Sequence, residues 1–409
     1  MMKMIKNTDT LYNTVTKYPE VKDFLVNQGL TQVQDKTILE QIGKTLTLEM
    51  VAKSKKISLD LFLDELSAII KEHRQATDTT LVERERNQEA SLDIQGILPC
   101  PVRIPLLEGF ETWLEQQEEA YSQDINYELK AASMGVDWIK EIIENSSSEE
   151  VLADVFLSAG FDLFFDKKLM GHYKAEKVFE DMTNWSGYNH DFDNEVFCLK
   201  DPEGDYSILG VVPAIFLINT DVLGNRKMPT TWEELLSGDY DNQVSLPVGD
   251  FDLFNAIILN IYKGYGLEGV EKLGKTLMRS MHPAEMVKSN TKNEQPLVTI
   301  MPYFFTKMVH ERSPMKAIWP KDGAIISPIF MLSKRSKKDK LQPIVDFFAS
   351  KQVGEILSHN GRFPSVHPEV DNHIVPENTY QWLGWDFIKA HDIGQLIDEC
   401  MQAFNGGDK

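Results

Sequence analysis

The chain has 409 residues, 42% of them hydrophobic and 26% charged, the balance of a protein that buries a real core. At roughly 100–200 residues per domain, that length implies two to four domains. Its 42 Lys and Arg against 63 Asp and Glu leave a net charge of −21, which sets the surface against phosphate backbones and anionic lipid and argues against nucleic-acid and membrane-surface partners.

Charge is unevenly spread along the chain. Residues 1–75 hold 11 Lys and Arg and 10 Asp and Glu, so the remainder carries −22. The change coincides with a polar stretch between His73 and Ser91, read as a linker at 76–93 after a small helical module at 1–75. Within the module, Val21, Phe24 and Leu25 make one helical face ending near Gly29. Ile38 and Ile42 continue the pattern, followed by Leu48, Val51 and Ala52. Ser58 is placed to cap a last helix that buries Leu61, Phe62, Leu66, Ile69 and Ile70. So small a core needs neat packing or a partner surface, which makes protein docking or self-association through 1–75 the expected role. The run from Tyr18 to Leu30, with the later TLTLEMVAKSKKISLDLFLDELSAII, resembles the small helical domain associated with hybrid-cluster and redox proteins. In that family a loop after Gly-Leu carries cysteines proposed to form a redox disulfide. Here the loop reads Thr31-Gln32-Val33-Gln34-Asp35, so the resemblance implies the fold and a docking role without the thiol chemistry.

From residue 92 short apolar strands alternate with amphipathic helices. A strand at 94–98 precedes a helix through Leu107, Phe110, Trp113 and Leu114. Another at 127–131 precedes one through Trp138, Ile139 and Ile142. Ser146 to Glu150 offers overlapping capping boxes before a strand at 155–157. Thr230 or Thr231 caps a helix at Trp232, and a strand at 244–246 turns through Pro247-Val248-Gly249-Asp250 into a helix burying Phe254, Ile257, Ile258 and Ile261. A further helix runs from Lys340 to Leu357. The alternation predicts an α/β fold with a mainly parallel sheet, helices on both faces and ligands beyond the carboxyl ends of strands.

The ordered phrases VLADVFLSAG, YSILGVVPAIFLINTDVLGNRKMPTTWEELLSGDYDNQVSLPVGDFDLFNAIILN and AIWPKDGAIISPIFMLSKRSKKDKLQPIVDFFASKQVGEILSHNGRFPSVHPEV resemble the substrate-binding proteins of ABC transporters. The likeness is to the type II periplasmic-binding-protein fold, in its ferric-iron and small-solute branch. It implies a bilobal solute-binding domain at 94–405, with lobe one at 94–211 and 323–405 and lobe two at 212–322. The lobes would hinge near Gly210 to Pro213 and Gly323-Ala324 and close on a ligand.

Candidate ligand-binding residues come from the loops of this arrangement. Cys100, between two prolines, is either a rigid reactive thiol or a small apolar residue, and Arg103 either clamps an anion or forms a structural ion pair. Ser158, Gly160 and Phe161 end a strand; Gly249 and Asp250 open a helix, with Asp250 read equally as its cap. Tyr303, Trp319 and Asp322 complete the set, with Tyr303, Asp250 and Asp322 the candidate metal ligands. Ferric-binding relatives carry an adjacent tyrosine pair where Tyr303 is followed by Phe304 and Phe305, so an aromatic-walled pocket for an organic ligand fits as well as iron. His172 and Tyr173 are read as surface or packing residues. The chain lacks GxSxG, HExxH and GxxxxGK[ST], and the closest histidines, His367 and His373, lack helical metal spacing.

The expected function is therefore non-enzymatic binding of a metal ion, small anion or organic acid. Chemistry through Cys100 is one alternative. Cys100, Cys198 and Cys400 are too few and too scattered for a disulfide framework, and no run of apolar residues is long enough to span a membrane. The first residues have no apolar signal segment, which points to a cytoplasmic sensor or carrier. An extracytoplasmic importer component is the alternative if the start is incomplete.

Overall fold

The computed structural model describes residues 8–17, 21–22, 25, 30, 33, 36–55, 59, 62–63, 66, 86–131, 137–144, 148–195, 198–248, 251–280, 295–310 and 312–406. The chain divides into two units, Met1–Glu83 and Arg84–Lys409. In the first, helices at Leu11–Lys17, Lys36–Ile42 and Leu48–Lys55 close over Leu11, Val15, Val21, Leu25, Leu48, Val51, Phe62 and Leu66. Thr10 and Thr47 accept from the Asn13 and Met50 amides, so each hydroxyl starts the helix that follows. Ile42, expected in this core, is 56% exposed at the end of its helix; Leu39 and Leu46 pack against the core instead. Phe24, Gly29, Ser58, Leu61, Ile69 and Ile70 lie outside the described residues.

The second unit is built on one sheet. Its strands are β1 Leu92–Leu98, β2 Ile125–Ala131, β3 Val155–Ser158, β4 Ser207–Asn219, β5 Val244–Leu246, β6 Leu277–Ser280, β7 Val298–Pro302, β8 Met315–Ile318, β9 Ala324–Ser333 and β10 Tyr380–Gln381. Their order is β2-β1-β3-β9-β4-β7-β5-β6, with β10 on β9 and β8 on β4. The sheet is mixed rather than mainly parallel. Parallel ladders join β1 to β2 and β3, and β5 to β6 and β7. The middle, β3-β9-β4-β7, is antiparallel. The reason is the route of the chain: helices at Cys100–Leu114, Asp137–Glu144 and Phe251–Thr276 make the parallel crossovers. Between these two groups it travels along β4 and returns along β9, so the two long strands must oppose each other.

Helix packing follows the apolar spacing. In the helix Cys100–Leu114, Val102, Leu106, Leu107, Phe110 and Leu114 are buried, and Phe110 stacks on Phe348 at 5.2 Å and meets Tyr127 edge-on at 5.1 Å. Thr231 Oγ1 accepts from the Glu234 amide at 3.1 Å and starts the helix Trp232–Leu235. The helix expected over 340–357 is instead Lys338–Phe348, then Lys351–Glu355, then a π turn at Ile356–Asn360. Ser350 makes the break, its hydroxyl accepting from the Val353 amide. The helix Phe251–Thr276 is interrupted at Gly266 (φ 65°), a left-handed conformation that glycine adopts without steric cost.

Beyond that interruption the helix runs so close to the C-terminal helix Ile393–Phe404 that a Cβ on Gly274 would lie 2.0 Å from the Phe404 carbonyl oxygen. Gly274→Ala is expected to cost about 1–3 kcal/mol through forced separation of these helices, read as a lowered midpoint in chemical denaturation. An unchanged midpoint would show that this contact yields freely.

Candidate functional site

β7 ends at Pro302, and the chain turns at once into a 3₁₀ helix, Tyr303–Met308, that puts Tyr303 and Lys307 on the same side of the sheet end. Tyr303 meets Trp319 edge-on at 5.3 Å, Trp319 meets Tyr380 at 5.5 Å, and Tyr380 packs on Phe192 at 5.0 Å. Trp319 Nε1 donates to the Thr379 carbonyl at 2.7 Å, which fixes this aromatic wall. Burial first, then the nearby Asp191 and Tyr303, raises the Tyr380 phenol well above its ordinary range.

Opposite stands the segment after the π turn. Lys307 Nζ donates to the His359 and Asn360 carbonyls at 2.7 and 2.8 Å, a cation on the carbonyl end of that turn. The Arg362 guanidinium donates to Thr306 Oγ1 and lies 5.3 Å from the centre of the Tyr303 ring. His359 and His373 stack with centroids 4.7 Å apart and planes 13° apart. Asn372 is locked, its amide oxygen accepting from the Ser365 amide and its nitrogen donating to Ser365 O and to Asp191 Oδ2.

These groups enclose a cavity of about 300 Å³ lined by Tyr303, Lys307, Ser358, His359, Arg362, Pro364, Asn372, His373 and Ile374. Three features make it the candidate binding site. Ser358, 5% exposed, has a buried hydroxyl with no hydrogen-bond partner among the described residues. Arg362 and His373 hold left-handed φ values of 48° and 54°, unusual for side chains of this size and a form of strain that gathers at functional sites. Finally, Lys307 and Arg362 line the cavity and, among the described residues, no carboxylate does. Burial and the Arg362 charge together pull the Lys307 ammonium below the usual lysine range.

The expected site residues are distributed as follows. Tyr303 lines the cavity and Trp319 stands directly behind it. Asp322 is engaged elsewhere: its Oδ2 accepts from the Trp232 amide at 2.8 Å, and burial raises its carboxyl above the usual range. Arg103 is 3% exposed within its helix. Ser158 is fully buried, its hydroxyl accepting from the Gly160 amide at 3.1 Å, and neither residue lines the cavity. Gly249 and Asp250, and the side chains of Cys100 and Phe161, lie outside the described residues. The sequence reading missed Lys307, Ser358, His359, Arg362, Asn372 and His373. Their signal is faint, since the stacked histidines are 14 positions apart and Arg362 follows a glycine that reads as a helix stop. Among the described residues no group of three or more His, Cys, Asp or Glu is gathered to hold a metal ion.

A two-halved α/β sheet with long crossing strands and a polar cavity between its halves defines a ligand-binding protein of the periplasmic-binding-protein fold. Residues 150–391, more than half the chain, match the family described as bacterial extracellular solute-binding protein, and the chain belongs to that family. Residues 5–63 match a domain of unknown function, DUF1858. No curated protein matches the sequence. Among solved structures, the fold is similar to the ferric binding protein from Campylobacter jejuni, with TM-score 0.55, 13% identity, and coverage of 77% of this chain and 99% of that one. It is similar to iron-bound HitA from Pseudomonas aeruginosa, with TM-score 0.55, 9% identity and coverage of 78% and 99%. It is also similar to AfuA from Actinobacillus pleuropneumoniae with fructose-6-phosphate bound, with TM-score 0.51, 16% identity and coverage of 78% and 98%. Among the described residues no helix is long and apolar enough to cross a membrane.

The contact made by Asp322 separates a cap from a ligand. Asp322→Asn keeps an oxygen for the Trp232 amide and is expected to change stability by less than about 1 kcal/mol, whereas Asp322→Ala should cost about 1–2 kcal/mol. Neither should alter ligand affinity, as equilibrium denaturation and calorimetric titration of the same samples would establish.

Proposed function

We propose that this protein binds a small anionic solute, an oxyanion or a phosphorylated or carboxylated organic molecule, between a lobe formed by 94–211 and 323–405 and a lobe formed by 212–322. The observation that carries the reading is the cavity lined by Lys307, Arg362 and Ser358, with a buried Ser358 hydroxyl that has no partner and, among the described residues, no carboxylate on the lining. Two cations lining one cavity repel each other and attract an anion. A guanidinium fork, an ammonium and a hydroxyl form a donor set suited to phosphate or carboxylate. The volume of about 300 Å³ suits a small solute.

Iron, the cargo named for two of the similar structures, is less well served. A ferric ion is a hard cation that asks for several anionic oxygens, and the one phenol on this cavity, Tyr303, has a guanidinium beside it. AfuA, whose structure holds a sugar phosphate, is the nearer chemical parallel. The family description favours work outside the cytoplasm as the solute-capturing part of an importer, with a cytosolic sensor or carrier as the competing assignment. Residues 1–75 would then supply a docking or self-association surface.

Isothermal titration with fructose 6-phosphate, inorganic phosphate, sulfate and citrate, alongside metal analysis of the purified protein, tests the reading. At least one anion is expected to bind, and Arg362→Met and Lys307→Met should each weaken it by roughly 10-fold or more. Stoichiometric iron lost on Tyr303→Phe, with no anion bound, would replace this assignment. Fractionation of the source cells decides the compartment.

A further inference from the structure

The stacked pair His359 and His373 stands on the lining of the cavity. Histidine is the side chain whose charge ordinarily changes between pH 5 and 8. His359 presents Nε2 to the Asp371 carbonyl at 2.8 Å, and His373 Nε2 lies 3.7 Å from Asp371 Oδ2. The Asp371 carboxylate also accepts from the His373 amide at 2.9 Å. The other charged or titratable groups around the pair are Lys307, whose ammonium sits on the His359 carbonyl, Arg362 and Tyr303, with Asp191 behind Asn372.

The balance among these charges depends on whether the cavity is filled. Lys307 and Arg362 line the same cavity as the pair. An anion seated among these four residues adds a negative charge beside the two rings and attracts an imidazolium. The parallel stack sets an upper limit, because two positive rings with centroids 4.7 Å apart would repel each other.

We propose that His359 and His373 make this a proton-linked anion site, in which the protein takes up as much as one proton, shared by the pair, with each anion bound. This rests on the anion reading of the cavity. The sign follows from linkage: the bound state holds more protons than the free state, so affinity rises as pH falls. With His373 69% exposed, solvent screens the effect, and a tightening of about 3- to 10-fold between pH 8 and 5.5 is expected.

The test is calorimetric titration of the full chain with sulfate and with fructose 6-phosphate at both pH values, in buffers of low and high ionisation enthalpy. Sulfate keeps its charge over this range, and the protons of the sugar phosphate itself are subtracted from its own titration. Uptake of a fraction of a proton up to one, with tighter binding at pH 5.5, supports the proposal. The His359→Gln/His373→Gln double variant should then lose both the uptake and the pH dependence. Binding without proton uptake in the unaltered protein overturns the proposal while leaving the anion site intact, and needs no variant to fold. Proton uptake that persists in the double variant also overturns it. If neither anion binds at either pH, the underlying anion reading falls and this inference with it.

Discussion

The structure depends on one constraint: two long strands, β4 and β9, must run through the middle of the sheet antiparallel and buried along their whole length. All 13 residues of β4 and all 10 of β9 are buried. Such strands cannot alternate polar and apolar positions as a half-exposed strand does, which is why SILGVVPAIFLIN and AIISPIFMLS are nearly continuous apolar runs. β4 pairs with β9 from Ser207 to Ala214 and with β7 from Ala214 to Ile218. The same strand is therefore shared by both groups of strands, and what lies at the changeover is positioned by both.

The cavity sits beside that changeover for a local reason. The register of β4 against β9 shifts between Ile208 and Gly210, and the segment 364–366 is laid across the strand there. The Val211 amide donates to the Pro364 carbonyl at 2.9 Å, and the Val366 amide to Leu209 at 3.1 Å. A Cβ on Gly210 would lie 2.9 Å from the Pro364 oxygen, so this close approach requires glycine. Pinning 364–366 leaves Gly361 and Arg362 a short path from the π turn to the strand, and Arg362 takes a left-handed φ to follow it. Thus Arg362 is aimed from one side by a backbone clamp on β4, while Tyr303 and Lys307 arrive from the other side at the end of β7.

The parts of this design that were legible in the sequence are those set by local rules. Strand and helix periodicity located β1, β2, β3 and β5 to within a few residues, and Thr231 was readable as a cap because its oxygen acts within its own turn. The parallel character of the sheet was overstated, because β4 and β9 are apolar throughout and such a run carries no mark of strand direction. Tyr303 and Trp319 were legible as separate loop candidates because both follow strand ends, and the structure brings their rings to 5.3 Å. Lys307, Arg362, His359 and His373 were not. Each is an ordinary surface residue in sequence, and their meeting is decided by the clamp at Gly210 and by the break that Ser350 introduces between two helices. Asp322 resembled a ligand because a carboxylate that caps a helix from 90 positions away looks the same in sequence as a free one.

The net charge of −21 is opposite in sign to the cations on the cavity, and the two are reconciled by distance. Surface carboxylates act on a ligand in solution through a field that salt screens over about 8–10 Å. On the anion reading, Lys307 and Arg362 act on the ligand at contact, where no layer of salt lies between. An anion therefore approaches against the field of the protein and binds only once it is within reach of these groups. On that reading the arrangement slows capture of anions in general while leaving the contacts of a well-fitting one intact, which places discrimination in how slowly the ligand leaves. A cation would experience the opposite, a favourable approach and an unfavourable interior. The acidic surface and the basic cavity together thus favour a site that admits few solutes and holds those able to answer two positive charges at once.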